Sequence, residues 1–391
     1  MDKNIVYVGV DDTTLDLFEG QYVIPEGVSY NSYIVFGSEG CAVMDTVDGR
    51  CTAQWLGKVA AALAERGVKA PDYLVVQHLE PDHSGSLDAF MQAYPQTVIV
   101  CSKKAAAMFP QFYEKDYSAA IRAVSEGESL NLGDRELVFY AAPMVHWPEV
   151  IVSFEKATGT LFSADGLGKF GALGDDITAK TEGWACEARR YYFNIVGKYG
   201  AQVQALLKKA STLPIKAILP LHGPVIEDNL GFYLGLYDTW SAYRNESEGV
   251  FIAYASMHGN TARAAKLLVA QLEAKGVKVA LNDLNRDDFA EGVEDAFRYD
   301  RMVLASPNYD GGLFPKMEEF LGHLAAKTYR NRRVAVIENG SWAPSAAKHI
   351  LARLEQMNGI SIVGSPVTIR TRVTEENIEA LKALAEELAI S

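Results

Sequence analysis

The sequence predicts an α/β chain of two domains, and three observations carry that prediction. Strand-type and helix-type runs are interleaved along the whole chain, the rhythm of the interleaving changes once, near residue 249, and the residues able to bind a metal or a phosphate gather at the ends of strand runs. With 391 residues, 49% of them apolar, the chain can bury a large core, and its length favours two domains over one.

Residues 1–248 mix strand runs ("SYIVFG", "CAVMD", "YLVVQ", "TVIVCS", "LVFYAAP", "VIVSFE", "GTLFSAD", "AILPLHG") with helical ones ("AQWLGKVAAALAERG", "WACEARRYYFNIVGKYGAQVQALLKKAS", "GFYLGLYDTWSAYR"). Adjacent strands there are often joined by turns alone. Residues 249–391 alternate strictly: "VFIAYAS", "NTARAAKLLVAQLEAKG", "KVALNDL", "RMVLASP", "MEEFLGHLAAK", "RVAVIEN", "SAAKHILARLEQ", "VTEENIEALKALAEEL". Strict alternation implies a doubly wound parallel sheet covered by helices. The polar stretch "RNESEG" between the two regimes reads as the linker.

Composition excludes several classes. The balance of 37 basic against 50 acidic residues, net −13, argues against a nucleic-acid-binding or polybasic membrane surface. "MDKNIVYVGVDD" is too short an apolar run for a signal segment or a membrane span. Cys41, Cys51, Cys101 and Cys186 form no CxxC pair, so they read as reduced thiols of a cytoplasmic protein, and they build no sulfur-ligated iron centre.

In the C-terminal part the first strand run ends in "ASMHGNTARAA". Its hydroxyls, free backbone N–H groups and helix dipole together suit a phosphate. Neither GxxxxGK[ST] nor GxGxxG is present, which counts against nucleoside triphosphates and dinucleotides. The third strand run ends in "SPNYDGGLFP" and the fourth in "ENGSWAPS". A doubly wound sheet brings these three loops together at its switch point, where Tyr309 and Trp342 can flank a flat ring. Taken singly, the first loop is an ordinary helix cap and Trp342 ordinary packing. Three such loops at the right strand ends favour a flavin.

The N-terminal part holds "QHLEPDHSG", in which His78, Glu80, Asp82 and His83 crowd the end of the strand run "DYLVV". Of seven histidines, His146 ("APMVHWPEV") and His222 ("LPLHGP") also follow strand runs, as does Asp165 ("LFSADGLG"). His258 falls in the phosphate loop, and His323 and His349 read as helix-surface residues.

On these motifs the C-terminal half resembles flavodoxin. The resemblance implies FMN held by Ser256, Met257, His258, Gly259, Asn260 and Thr261, by Ser306, Pro307, Asn308, Tyr309, Asp310, Gly311 and Gly312, and by Asn339, Gly340, Ser341, Trp342 and Ala343. The N-terminal half resembles the metallo-β-lactamase fold, an αββα sandwich in which HxHxDH and later His, Asp and His residues meet between two sheets. Glu80 replaces the second His of that motif, giving H-x-E-x-D-H. Three carboxylates make a harder, more anionic site than zinc hydrolases use, one suited to iron or manganese.

Together the halves resemble a flavodiiron protein. That resemblance implies one iron on His78, Glu80 and His146, the other on Asp82 and His222, and Asp165 as the bridge, with His83 either ligating or turned away. Asp45 is assigned to hydrogen bonds behind the ligands. The expected activity is reduction of O2 to water, of NO to N2O, or of both, with FMN relaying electrons and no side-chain nucleophile. The chain ends soon after "ALKALAEEL", so the donor is expected to be separate: rubredoxin, or deazaflavin or another reductase. A head-to-tail homodimer, or a dimer of such dimers, is expected. The rival reading is a zinc-dependent hydrolase of the same fold fused to a flavodoxin.

Overall fold

The computed structural model describes residues 2–390. Two compact units emerge: residues 1–192 with Tyr199–Asp238, and Phe193–Lys198 with the chain from Thr239 onward.

The first unit is built on two sheets. One has six strands in the order Ile5–Tyr7, Tyr33–Phe36, Cys41–Met44, Tyr73–Val76, Val98–Ser102 and Ile121–Val124; its first two pairings are antiparallel and the rest parallel. The other has five, Ser129–Asn131, Glu136–Ala141, Ile151–Glu155, Thr160–Phe162 and Ala217–Leu219, antiparallel except for the last pair. A single core joins the sheets: Tyr33, Val35, Met44, Val75 and Val100 from the first meet Leu137, Phe139, Ile151, Phe162 and Leu219 from the second. Alternation puts Val43, Leu74 and Ile99 on the opposite face, also fully buried. The amphipathic helices Thr52–Glu65 and Leu87–Ala93 bury Trp55 and Phe90 against each other, ring centroids 5.5 Å apart. This is the expected αββα sandwich.

The helix expected over "WACEARRYYFNIVGKYG" is interrupted. An α-helix over Trp184–Tyr191 gives way to a π turn at Tyr192–Val196 and a 3-10 turn at Gly197–Tyr199 before helix resumes at Gly200–Ala210. Tertiary partners replace the lost ladder bonds: Tyr243 donates its hydroxyl to Gly197 O at 2.8 Å, and Asn194 Nδ2 donates to Ala290 O at 3.1 Å. Phe193 stacks on Phe297 at 4.3 Å, which ties residues 193–198 to the second unit.

That unit is a parallel sheet in the order Val279–Asp283, Ser247–Tyr254, Tyr299–Tyr309, Arg333–Asn339, with Ser361–Ile362 and Val367–Ile369 beyond. The strand order reverses between the first and third strands in sequence, so their ends form the switch point. The stretch "RNESEG" lies within this unit, Ser247 already pairing with Tyr299. The alternation read from the sequence omits one helix, Phe289–Arg298; Asp288 caps it, its side chain accepting from Ala290 N at 2.9 Å. Its apolar residues Phe289, Ala290, Val293, Ala296 and Phe297 do recur at helical spacing, so this signal was present in the sequence.

Candidate metal centre and flavin cleft

Four loops of the first unit build the candidate metal centre. His78 follows the strand Tyr73–Val76 by two residues, and Glu80, in extended backbone at φ −56° and ψ 139°, sits at the N-cap of a one-turn helix, Pro81–Ser84. Pro81 occupies the first helical position, where its missing N–H is not needed. Asp82 and His83 therefore ride on a helical turn. His146 lies between the strands ending at Ala141 and starting at Ile151, Asp165 follows Thr160–Phe162, and His222 follows Ala217–Leu219.

The side chains converge in two groups, His78, Glu80, His146 and Asp165, and Asp82, His83 and His222; within each group the ligand atoms lie within 4.8 Å of one another. Asp165 serves both. Its Oδ2 is 3.3 Å from His78 Nε2 and 3.1 Å from His146 Nε2, while its Oδ1 is 3.2 Å from His83 Nε2 and 3.8 Å from His222 Nε2. Glu80 Oε2 lies 3.1 Å from His78 Nε2 and 3.0 Å from His146 Nε2, and Asp82 Oδ2 lies 3.2 Å from His222 Nε2. His83 faces inward, its Nε2 3.4 Å from Asp82 Oδ2.

The residues present fit a pair of cations. Both oxygens of Asp82, both of Asp165 and both ring nitrogens of His83 are buried without a hydrogen-bond partner, a loss that bound cations make good. Burial pushes the Asp165 carboxyl up, but His83, His146 and His78 outweigh it and hold it well below the usual carboxylate range. Burial pushes His78 down, and Asp165, Glu149 and Glu80 more than reverse that; for His146 burial likewise pushes down, and Asp165 and Glu80 raise it to about 9. Three carboxylates among four imidazoles match the donor set of a hard divalent metal.

A supporting layer surrounds the ligands. Asp45 is fully buried and accepts from Gln77 N at 2.7 Å and Gln77 Nε2 at 2.9 Å, which fixes the chain just before His78; burial pushes its carboxyl up to about 6. Glu149, which the sequence reading does not single out, accepts from His78 Nδ1 at 2.7 Å and Leu79 N at 3.0 Å. It sits three residues after His146, and that spacing was its one signal. His222 donates from Nδ1 to Ser29 O at 2.8 Å and meets the ring edges of Phe18, Tyr30 and Tyr191 at 5.4–5.8 Å.

The second unit carries a cleft of about 760 Å³ at its switch point. Ser256, Met257, His258, Asn260 and Thr261 line one side; Pro307, Asn308, Tyr309, Asp310 and Gly311 another; Asn339, Gly340, Ser341, Trp342 and Ala343 a third. The helix Asn260–Glu273 has Gly259 at its N-cap with no side-chain hydrogen bond, so its first N–H groups are left for a ligand. Tyr309 is 46% and Trp342 90% exposed, open aromatic faces at the rim. Ser306 does not line the cleft: it is fully buried, its hydroxyl donating to Pro307 O at 2.9 Å. Gly259 and Gly312 shape the loops without lining it, whereas Pro344, Ser345 and Thr371 do line it. Thr371 comes from the end of the last strand, its N–H donating to Asn339 Oδ1 at 3.0 Å, a placement no local motif announces.

Fold and site together define a metallo-β-lactamase-like metal-binding domain joined to a flavodoxin. The ODP family β-lactamase profile matches residues 28–223, half of the chain, and the flavodoxin profile matches residues 252–383. The chain belongs to the ODP family and is a flavodiiron protein. An anaerobic nitric oxide reductase flavorubredoxin of Vibrio vulnificus is 28% identical over 362 residues, 90% of this chain and 72% of that protein. The structure of the rubredoxin:oxygen oxidoreductase of Desulfovibrio gigas superposes with a TM-score of 0.91 at 26% identity, over 100% of this chain and 97% of that one. The flavodiiron protein of Giardia intestinalis gives 0.89 at 26% identity, over 99% and 96%.

Proposed function

We propose that this chain is an oxidoreductase that reduces O2 to water, NO to N2O, or both, at a diiron centre held by His78, Glu80, His146, Asp82, His83 and His222 and bridged by Asp165. The observation that carries the reading is the Asp165 carboxylate, which turns one oxygen toward each ligand group. The similar proteins named for oxygen and nitric oxide reduction support it.

When bound, the iron pair and the FMN would supply the redox chemistry, two electrons from the pair and two from the flavin, enough for O2 and more than two NO require. The chain's own residues do the rest. Hydrogen bonds at Nδ1 turn the Nε2 atoms of His78 and His222 inward as metal-binding nitrogens. The aromatic edges around His222 keep the ring in place and the centre poor in water. In the second unit the uncapped helix start at Asn260 would receive the flavin phosphate, and Tyr309 and Trp342, at the cleft's rim, would flank the ring.

Rubredoxin is the electron carrier that the names of the similar proteins support. Among the described residues no helix is long and apolar enough to cross a membrane, and all four cysteines are free; both facts agree with a place in the cytosol. We place the flavin of one chain against the irons of a second in a head-to-tail dimer. Co-expression of Asp165→Ala with a Ser256→Asp/Thr261→Asp chain tests this: mixed dimers regain activity that neither parent has, and an inactive mixed dimer with both remaining sites filled refutes it. For the function itself, the purified chain should hold about two irons and one FMN and consume O2 or NO with a reduced donor. Two zincs and no gas consumption would return the reading to a hydrolase.

A further inference from the structure

The two halves of the metal centre are supported unequally. With Nε2 of each ring turned to the carboxylates, the ring proton belongs on Nδ1, and the partner of Nδ1 sets how strongly the ring donates. His78 Nδ1 lies 2.7 Å from Glu149 Oε1, and both side chains are 0% exposed. The same oxygen accepts from Leu79 N at 3.0 Å, and Glu149 Oε2 is buried without a partner. In the other half, His222 Nδ1 donates at 2.8 Å to Ser29 O, an uncharged carbonyl, and His83 Nδ1 has no hydrogen-bond partner. Glu149 is thus a carboxylate, beyond the three aimed at the metals, that acts on one half alone.

We infer that Glu149 is a tuning residue that makes the two metal positions electronically unequal, so that the position of His78, Glu80 and His146 is oxidised first and that of Asp82, His83 and His222 stays reduced longer. A carboxylate at Nδ1 draws the ring proton toward itself and gives His78 the character of an imidazolate, adding negative charge next to one metal. Negative charge at a metal stabilises its more positive oxidation state. The loss of one electron from the reduced pair then falls on the His78 side, and the Nδ1 proton stays shared with Glu149. An imidazole bonded to a peptide carbonyl, as at His222, gains much less. The inference rests on the diiron reading above and adds to it which position holds the first oxidised charge.

The test is a redox titration of the iron- and FMN-loaded protein, with the half-oxidised pair followed by electron paramagnetic resonance, on wild type, Glu149→Gln and Glu149→Ala. Glutamine keeps an oxygen for both His78 Nδ1 and Leu79 N but removes the charge. Glu149→Gln should keep wild-type iron content. The couple between fully reduced and half-oxidised pair should move up by about tenfold in equilibrium constant, about 59 mV for one electron, and the maximum half-oxidised signal should fall as the two couples approach each other. Glu149→Ala should lose iron as well, because the ring is no longer held. Unchanged couples in an iron-replete Glu149→Gln protein overturn the inference, as does a Glu149→Gln protein that loses iron as fully as Glu149→Ala, which would make Glu149 a group that only holds the ring. A wild-type protein that takes up no iron pair overturns the diiron reading and this inference together, and is seen before any variant is made.

Discussion

Asn31 clamps the loop that carries His222: its Nδ2 donates to Pro220 O at 2.8 Å and to Gly223 O at 2.7 Å, one bond on either side of the histidine. Asn31 is fully buried, so the two carbonyls have no water to replace it. Asn31→Ala should destabilise the first unit by about 2–4 kcal/mol, the cost of two buried acceptors left unpaired, and should weaken metal retention by freeing His222. Urea unfolding and metal content after dialysis against a chelator check both; a stability within about 0.5 kcal/mol of wild type would show that the loop is held by other contacts.

Asp165→Ala should remove the one side chain shared by both ligand groups. Iron content should fall well below that of wild type while the flavin spectrum is unchanged, because the cleft lies in the other unit. Metal analysis beside the visible spectrum of one sample decides it, and full iron occupancy would take Asp165 out of the centre.

Thr261→Asp places a carboxylate on the first turn of the helix that begins at Asn260, beside the groups expected to receive a phosphate. Like charge there should weaken FMN binding at least about tenfold, roughly 1.4 kcal/mol, with iron content unaffected. Fluorescence titration of the flavin-free protein measures this. Unaltered affinity would place the phosphate elsewhere.

His323, with Phe289 at 5.0 Å between ring centroids, is held below the usual histidine range by burial and then by Lys327, against a smaller opposing effect of Glu319. In the folded state it takes up a proton less readily than in the unfolded chain. Above about pH 6.5 both states are neutral and its full contribution is present; as pH falls from there through the folded value, the unfolded chain binds more protons and stability drops. His323→Gln should flatten that decline. An NMR titration of the ring giving a value at or above about 6.5 would sink the prediction.

Much of this was legible in the sequence because it is local. Alternating apolar runs announce strands, strict strand–helix alternation announces the parallel sheet of the second unit, and "HLEPDH" shows its ligand chemistry in six consecutive positions. That His78, Glu80, Asp82, His146, Asp165 and His222 follow strands was visible too, since strand ends are marked by the turn residues after them. The tertiary structure alone decided that Asp165 faces both ligand groups, that His83 points inward, and that Ser306 turns away from the flavin cleft while Thr371 enters it. It alone decided that the helix begun at Trp184 breaks at Tyr192, and that Glu149, Asn31 and Ser29 stand behind the ligands. The physical reason is the same throughout: a side chain's direction, and the carbonyl or imidazole it finds, depend on which distant segment the packed core sets beside it, and hydrogen bonds across such distances leave no period in the sequence.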